Sequence, residues 1–282
     1  VEGPAQRTVA GPTAAAPGTR TYLHRVGATR QGIVDSTVAS GDGRFRVGAS
    51  VDSGEVLLVS GRWHGVEYFA PPVTAGEPVE LFVVDTSATA PVGIAARHVV
   101  IGGPAADGTR DVVDMVILRN AGTATRVGGT ERTPAFRMSL PGNVANLTLG
   151  DADFAIEAFD VHDDTLALLA PVPPGDRQFM LQYQLPPGAR ALDLPLDPVP
   201  DTLSILAEEP DLELPPTLVA LGTEEVAGRT FTRWGGRAAG TIRVGLAGAG
   251  SAPGWLLPAL VVLLAIPLLL VTRRALLPPR RR

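Results

Sequence analysis

The 282-residue chain contains no cysteine and no lysine. Without cysteine there are no disulfides, no thiolate metal ligands and no lipidated N-terminal cysteine. Without lysine a phosphate-binding P-loop, a Schiff-base mechanism and a Ser–Lys dyad are excluded. All 24 basic residues are arginine, the mark of a GC-rich bacterial coding sequence. Aromatics are scarce as well: three Trp, three Tyr and eight Phe, too few for the clustered platforms of a sugar-degrading cleft. The four histidines, His24, His64, His98 and His162, show neither the His-x-x-x-His nor the His-x-x-Glu-His spacing of zinc and iron sites. Each reads as a surface or strand-edge imidazole. No Gly-x-Ser-x-Gly elbow is present. Positive charge is in deficit, with a net charge of −5, and five arginines follow Thr272, so the remainder is more acidic still. That balance argues against nucleic acid and anionic lipid as partners.

One long apolar run is present. Residues 252–272 carry no formal charge, and as a helix they span roughly 30 Å, the thickness of a bilayer's hydrocarbon core. The sequence therefore predicts a transmembrane helix over 252–274 and a basic tail over 275–282. Trp255 sits where an interfacial anchor belongs, and Pro267 predicts a kink. Arg273 and Arg274 follow the span, whereas its N-terminal flank is uncharged. The positive-inside rule then puts the tail in the cytoplasm and the ectodomain in the periplasm of a bacterial inner membrane. Such an orientation implies a removed leader. The span has no histidine, so no imidazole there ligates a pigment metal.

Ahead of the span the periodicity is that of strands. Residues 1–19 are Pro, Ala, Gly and Thr with little to bury, which predicts an extended tail. Its expected use is as a strap across a neighbouring subunit, with Val9 in apolar contact and Arg7 in an ion pair. Over 20–90, "TYLHRV", "GIVDSTV", "GRFRVGA", "EVLLVSGRW", "GVEYFA" and "PVELFVVDT" each read as a strand of roughly 5–8 residues. About eleven more strand-like runs fill 91–247, with turns at "VPPGDR" and "LPPGAR". They predict a β-sandwich over 91–188 and a further β-rich module over 189–247, with a single larger sandwich as the alternative. The fold class is therefore all-β tandem sandwiches plus one C-terminal membrane helix.

Three features of residues 20–90 carry a resemblance: Gly32-Ile33-Val34, then Asp42-Gly43-Arg44-Phe45, then "GEVLLVSGRWHGVEYF". This segment resembles the carboxypeptidase-regulatory-like, or transthyretin-like, β-sandwich modules. The resemblance implies a binding or spacer domain without catalytic residues of its own. The whole layout resembles the single-span accessory subunits of bacterial double-ring photosynthetic reaction-centre–light-harvesting complexes.

Candidate chemistry is sparse. Acidic groups occur at Asp151 and Asp153, at Asp163 and Asp164, and over Glu208, Glu209, Asp211 and Glu213. A D-x-D near a turn suits calcium, but no EF-hand spacing accompanies it. Trp63, Tyr68 and Phe69, on adjoining strands, form the best candidate for an exposed partner contact. No catalytic, metal or cofactor residue is expected. The leading expectation is a non-catalytic scaffold subunit of a multisubunit membrane complex. The alternatives are an envelope binding module for glycan or protein, and an enzyme with an unrecognised site.

Overall fold

The structure is a computed structural model that describes residues 1–8, 14–50, 52, 54–72, 76–129, 133–226 and 228–246. The expected span over 252–274, the basic tail, Trp255, Pro267, Arg273, Arg274 and Val9 lie outside the described residues, as does the side chain of Arg7. Among the described residues no helix is long and apolar enough to cross a membrane. What is described is all-β, with a single 3-10 turn at Ile156–Ala158.

The chain forms two compact units. Unit one holds β1 (Glu2–Thr8), β2 (Ala14–Ala15), β3 (Arg20–Val26), β4 (Gln31–Val38), β5 (Arg44–Arg46), β6 (Val56–Trp63), β7 (Val66–Phe69), β8 (Leu81–Val84) and β9 (Thr86–Ser87). The chain then enters unit two with β10 (Val92–Ile101) and β11 (Arg110–Asn120), and returns to unit one for β12 (Thr125–Arg126). Unit two is completed by β13 (Phe136–Ser139), β14 (Ala145–Ala152), β15 (Phe159–His162), β16 (Thr165–Leu168), β17 (Gly175–Leu185), β18 (Ala191–Leu196), β19 (Thr202–Ala207), β20 (Leu218–Val226), β21 (Arg229–Gly236) and β22 (Gly240–Gly245).

Unit one is a two-layer sandwich. One layer is antiparallel, in the order β4-β3-β6-β7. The other is built around β1, which pairs antiparallel with β5 and β2 and parallel with β8. Leu23, Leu57, Val59 and Tyr68 from the first layer and Phe45, Leu81 and Val83 from the second bury one common core. Buried residues alternate with more exposed ones along β5, β7 and β8, as a sheet with one wet face requires. The six strand readings of 20–90 are all recovered.

The tail reading of residues 1–19 is not. Glu2–Thr8 form the strand that joins β5 to β8, and Ala5, Ala16 and Thr19 are fully buried. The reason is size. A Cβ on Gly3 would overlap the carbonyl oxygen of Val79, so this strand fits because its buried residues, Gly3 and Ala5, are small. A search for large apolar residues does not detect a strand of that kind. Residues 1–8 and 14–19 are thus held by the chain's own unit and do not form a free strap.

In unit two a seven-stranded sheet runs β14-β17-β11-β10-β19-β21-β20. Its β10–β19 pair is parallel, and β19–β21 and β20–β21 are antiparallel. Smaller sheets, β13-β16-β15 and β18-β22, belong to the same unit. The expected division between 91–188 and 189–247 therefore runs through one continuous sheet, in which β10 and β19 are neighbours. The core includes Phe179, Leu181, Leu203, Ile205, Leu166, Leu194 and Val244.

Candidate functional site

The three aromatics singled out above do not converge. Tyr68 and Phe69 are consecutive in β7, and consecutive strand residues point to opposite faces. Tyr68 turns into the core at 9% exposure, and its hydroxyl donates to the Val84 carbonyl while also bonding Thr125. Phe69 turns outward at 58% exposure. Trp63 packs against the edge of the core and donates from Nε1 to Asp85 Oδ1 at 2.9 Å. The His64 ring stacks on it at 4.5 Å.

Phe69 belongs instead to the outward face of β4-β3-β6-β7. The register sets that face in rows. Val38, Arg20, Arg62 and Glu67 form one, and Ser36, Tyr22, Ser60 and Phe69 the next. Ile33, His24 and Leu58 follow, then Gln31, Val26 and Val56. Ring contacts confirm the shared side: His24 lies 5.5 Å from Phe69 and 6.3 Å from Tyr22. Val26, Ile33, Val38, Val56 and Phe69 are all exposed large hydrophobics. Single exposed apolar residues are ordinary, but here five share one sheet face, with Arg20, Ser60 and His24 set among them. Sequence reading missed this face. The alternation Tyr22–His24–Val26 was visible, but the strand pairing that sets Phe69 and Ile33 on either side of it was not.

A polar trio sits within the patch. Ser60 Oγ donates to Glu67 Oε1 at 2.5 Å, which leaves it to accept from His24 Nε2 at 2.7 Å. Glu67 also lies 3.4 Å from that same nitrogen. In an acid–base–nucleophile relay the acid holds the far ring nitrogen and the hydroxyl faces the near one. Here both partners crowd Nε2 and the serine proton points to the carboxylate. The trio has the geometry of a cross-strand polar clamp.

The other histidines are dispersed. His98 is half-buried in β10, and burial followed by the neighbouring Arg233 charge pulls its pKa down. His162 is exposed beside Asp163. The acidic groups have local duties. Asp153 accepts the Gln178 amide, and Glu208 accepts the Gly103 amide and pairs with Arg229. Glu209 pairs with Arg110, and Glu213 bridges to Gly245 through the backbone. Among the described residues no three His, Cys, Asp or Glu side chains gather as metal ligands would.

A fully buried charged pair went unnoticed in the sequence. Arg97 of β10 and Asp114 of β11 are both fully buried and joined by a two-pronged contact, Nη2–Oδ2 2.6 Å and Nε–Oδ1 3.0 Å. Arg97 Nη1 also donates to the Pro195 carbonyl at 2.6 Å, and the Tyr183 hydroxyl lies 3.5 Å from Asp114. Burial works against the guanidinium charge, and Asp114 more than reverses it. The signal was present: "AARHVVI" and "RDVVDMVIL" each set one charge, of opposite sign, inside an apolar strand. Buried charges come in pairs.

Burial raises the pKa of Tyr68, and burial followed by the Asp114 charge raises that of Tyr183 well above its ordinary value. In the unfolded chain both phenols ionise near pH 10. As pH rises the unfolded chain therefore loses these protons first. Their contribution to stability is whole below about pH 10 and is lost as pH climbs toward the folded values. The denaturant midpoint of the full-length protein should fall above about pH 10, and Tyr183→Phe should make that fall shallower. An equally steep fall in the Phe variant would contradict the assignment.

No protein-family model matches the sequence, and neither does any curated protein. Among solved structures, a variant of the M1 zinc metallopeptidase from Deinococcus radiodurans is similar over 55% of this chain, at 9% identity and a TM-score of 0.34. The chain spans 42% of the length of that structure. A likeness at that level carries nothing to this chain.

Proposed function

We propose that the chain is a non-catalytic accessory subunit of a multisubunit membrane complex. Its β units make protein contacts on the periplasmic side, and the apolar run over 252–274 anchors it. The observation that supports this reading best is the outward face of β4-β3-β6-β7, which exposes five large apolar residues and carries a row of charges at one end. Apolar cores with polar rims are the anatomy of protein interfaces. The anchor and its orientation rest on the uncharged run and the arginines after it. The layout favours a photosynthetic reaction-centre–light-harvesting complex as the host.

Solubilising native membranes in mild detergent and separating the extract by size tests the reading. The chain should migrate with a large complex at fixed stoichiometry. Migration as a lone protein that a glycan column retains would favour the envelope binding module instead.

A further inference from the structure

The rim of the same face carries an electrostatic conflict. Arg20 of β3 and Arg62 of β6 are direct cross-strand partners. Both are exposed, and alternation puts both side chains on the outward face, because Thr21 and Gly61 beside them are buried. Like charges directly opposite each other on a sheet repel. Among the described residues neither guanidinium has an ion-pair partner. Glu67, opposite Arg62 on β7, is the nearest acid in register, yet its Oε1 faces Ser60 and His24 and the carboxylate forms no ion pair with either arginine. Elsewhere in unit one arginines do find acids: Arg30 pairs with Asp52 and Glu55, Arg25 with Glu55, and Arg46 with Glu2. The unpaired pair therefore stands out against its own surroundings, and it borders the exposed Phe69 and Tyr22 row.

We propose that this face docks an acidic segment of a partner protein. A carboxylate-bearing stretch bridges Arg20 and Arg62, and apolar residues beside it cover Phe69, Ile33 and Val56. This rests on the reading of the chain as a contact-making subunit and adds the surface and the partner's chemistry. Guanidinium groups suit the role, because each presents a planar fork to a carboxylate. Two adjacent forks can take one carboxylate from both sides or two successive acids. Anionic lipid fits less well. Surface-binding basic clusters use about 4–8 cations, whereas this face has two arginines in one row with an acid, Glu67, and belongs to a chain of net charge −5.

The test uses the full-length chain in its native membranes, with the photo-crosslinker p-benzoylphenylalanine placed at Phe69. Irradiation should give an adduct with another protein, and the crosslinked peptide should carry Asp or Glu next to apolar residues. Adduct yield should drop about tenfold in Arg20→Glu with Arg62→Glu. It should also drop, by a smaller factor, in the gentler Arg20→Gln with Arg62→Gln, whose fold the loss of two exposed charges leaves intact. Raising salt from 50 to 500 mM should lower the wild-type yield, since rim charges are screened. An adduct with lipid, with a second copy of this chain, or with a basic peptide overturns the proposal. So does a yield unchanged in both arginine variants. Size separation of the same samples keeps the two readings apart. A chain that still migrates with a complex but gives no acidic adduct defeats the docking face alone, whereas a chain that migrates alone defeats the subunit reading.

Discussion

Asp114→Ala should destabilise unit two by about 3–5 kcal/mol, the cost of leaving a buried charge without its partner. Arg97 is at 0% exposure and takes both carboxylate oxygens of Asp114. After the substitution one backbone carbonyl, that of Pro195, is left to face the guanidinium. Amide hydrogen exchange in the full-length protein reads the effect. Protection in β10, β11 and β19 should fall by roughly two to three orders of magnitude, at about 1.4 kcal/mol per factor of ten. The strands of unit one serve as the internal reference and should keep theirs. Replacing both partners together, Arg97→Met with Asp114→Leu, should cost far less than Asp114→Ala, because no orphaned charge remains. A loss below about 1 kcal/mol in the single variant would mean that the pair is not buried as described.

The buried pair also shows where sequence reading works and where it stops. Strands with large apolar residues at alternate positions, such as "EVLLVSGRW" and "TYLHRV", announce themselves, and all six in residues 20–90 form. Their partners do not, because pairing is a non-local choice that a period-two pattern leaves open. Thus β10 and β19, about a hundred residues apart in the chain, run parallel in one sheet across a boundary drawn at a Pro-Pro-Gly turn. The candidate contact surface failed for a related reason. Nearness in sequence grouped Trp63, Tyr68 and Phe69, whereas alternation separates Tyr68 from Phe69 and register joins Phe69 to His24 and Tyr22. The strand over Glu2–Thr8 was hidden by its own composition, since Gly3 and Ala5 pack by being small.

Close approach by small residues recurs inside unit one, and there it should give a coupled pair of mutations. Gly61 of β6 sits across the core from Leu81 of β8, which is fully buried. A Cβ added at Gly61 would overlap the Leu81 Cδ2 methyl and lie 2.9 Å from Thr19 Cγ2. Leu81 lies at 0% exposure in one buried cluster with Leu57, Val59 and Val83, and closely packed cores resist added methyl groups. Gly61→Ala should therefore cost about 1–3 kcal/mol through overpacking. Leu81→Ala opens a cavity in the shared core and should cost about 2–5 kcal/mol. Combined, the new methyl at position 61 occupies part of the volume that the leucine vacated. The double variant should then be more stable than the sum of the single effects by about 1–2 kcal/mol, within the range for residues in contact. Exchange protection of β3 and β6 amides in the full-length chain measures all three variants against unit two as reference. If the two effects add to within about 0.3 kcal/mol, Gly61 and Leu81 do not meet, and the two layers of unit one are not packed at the close spacing that the glycine allows.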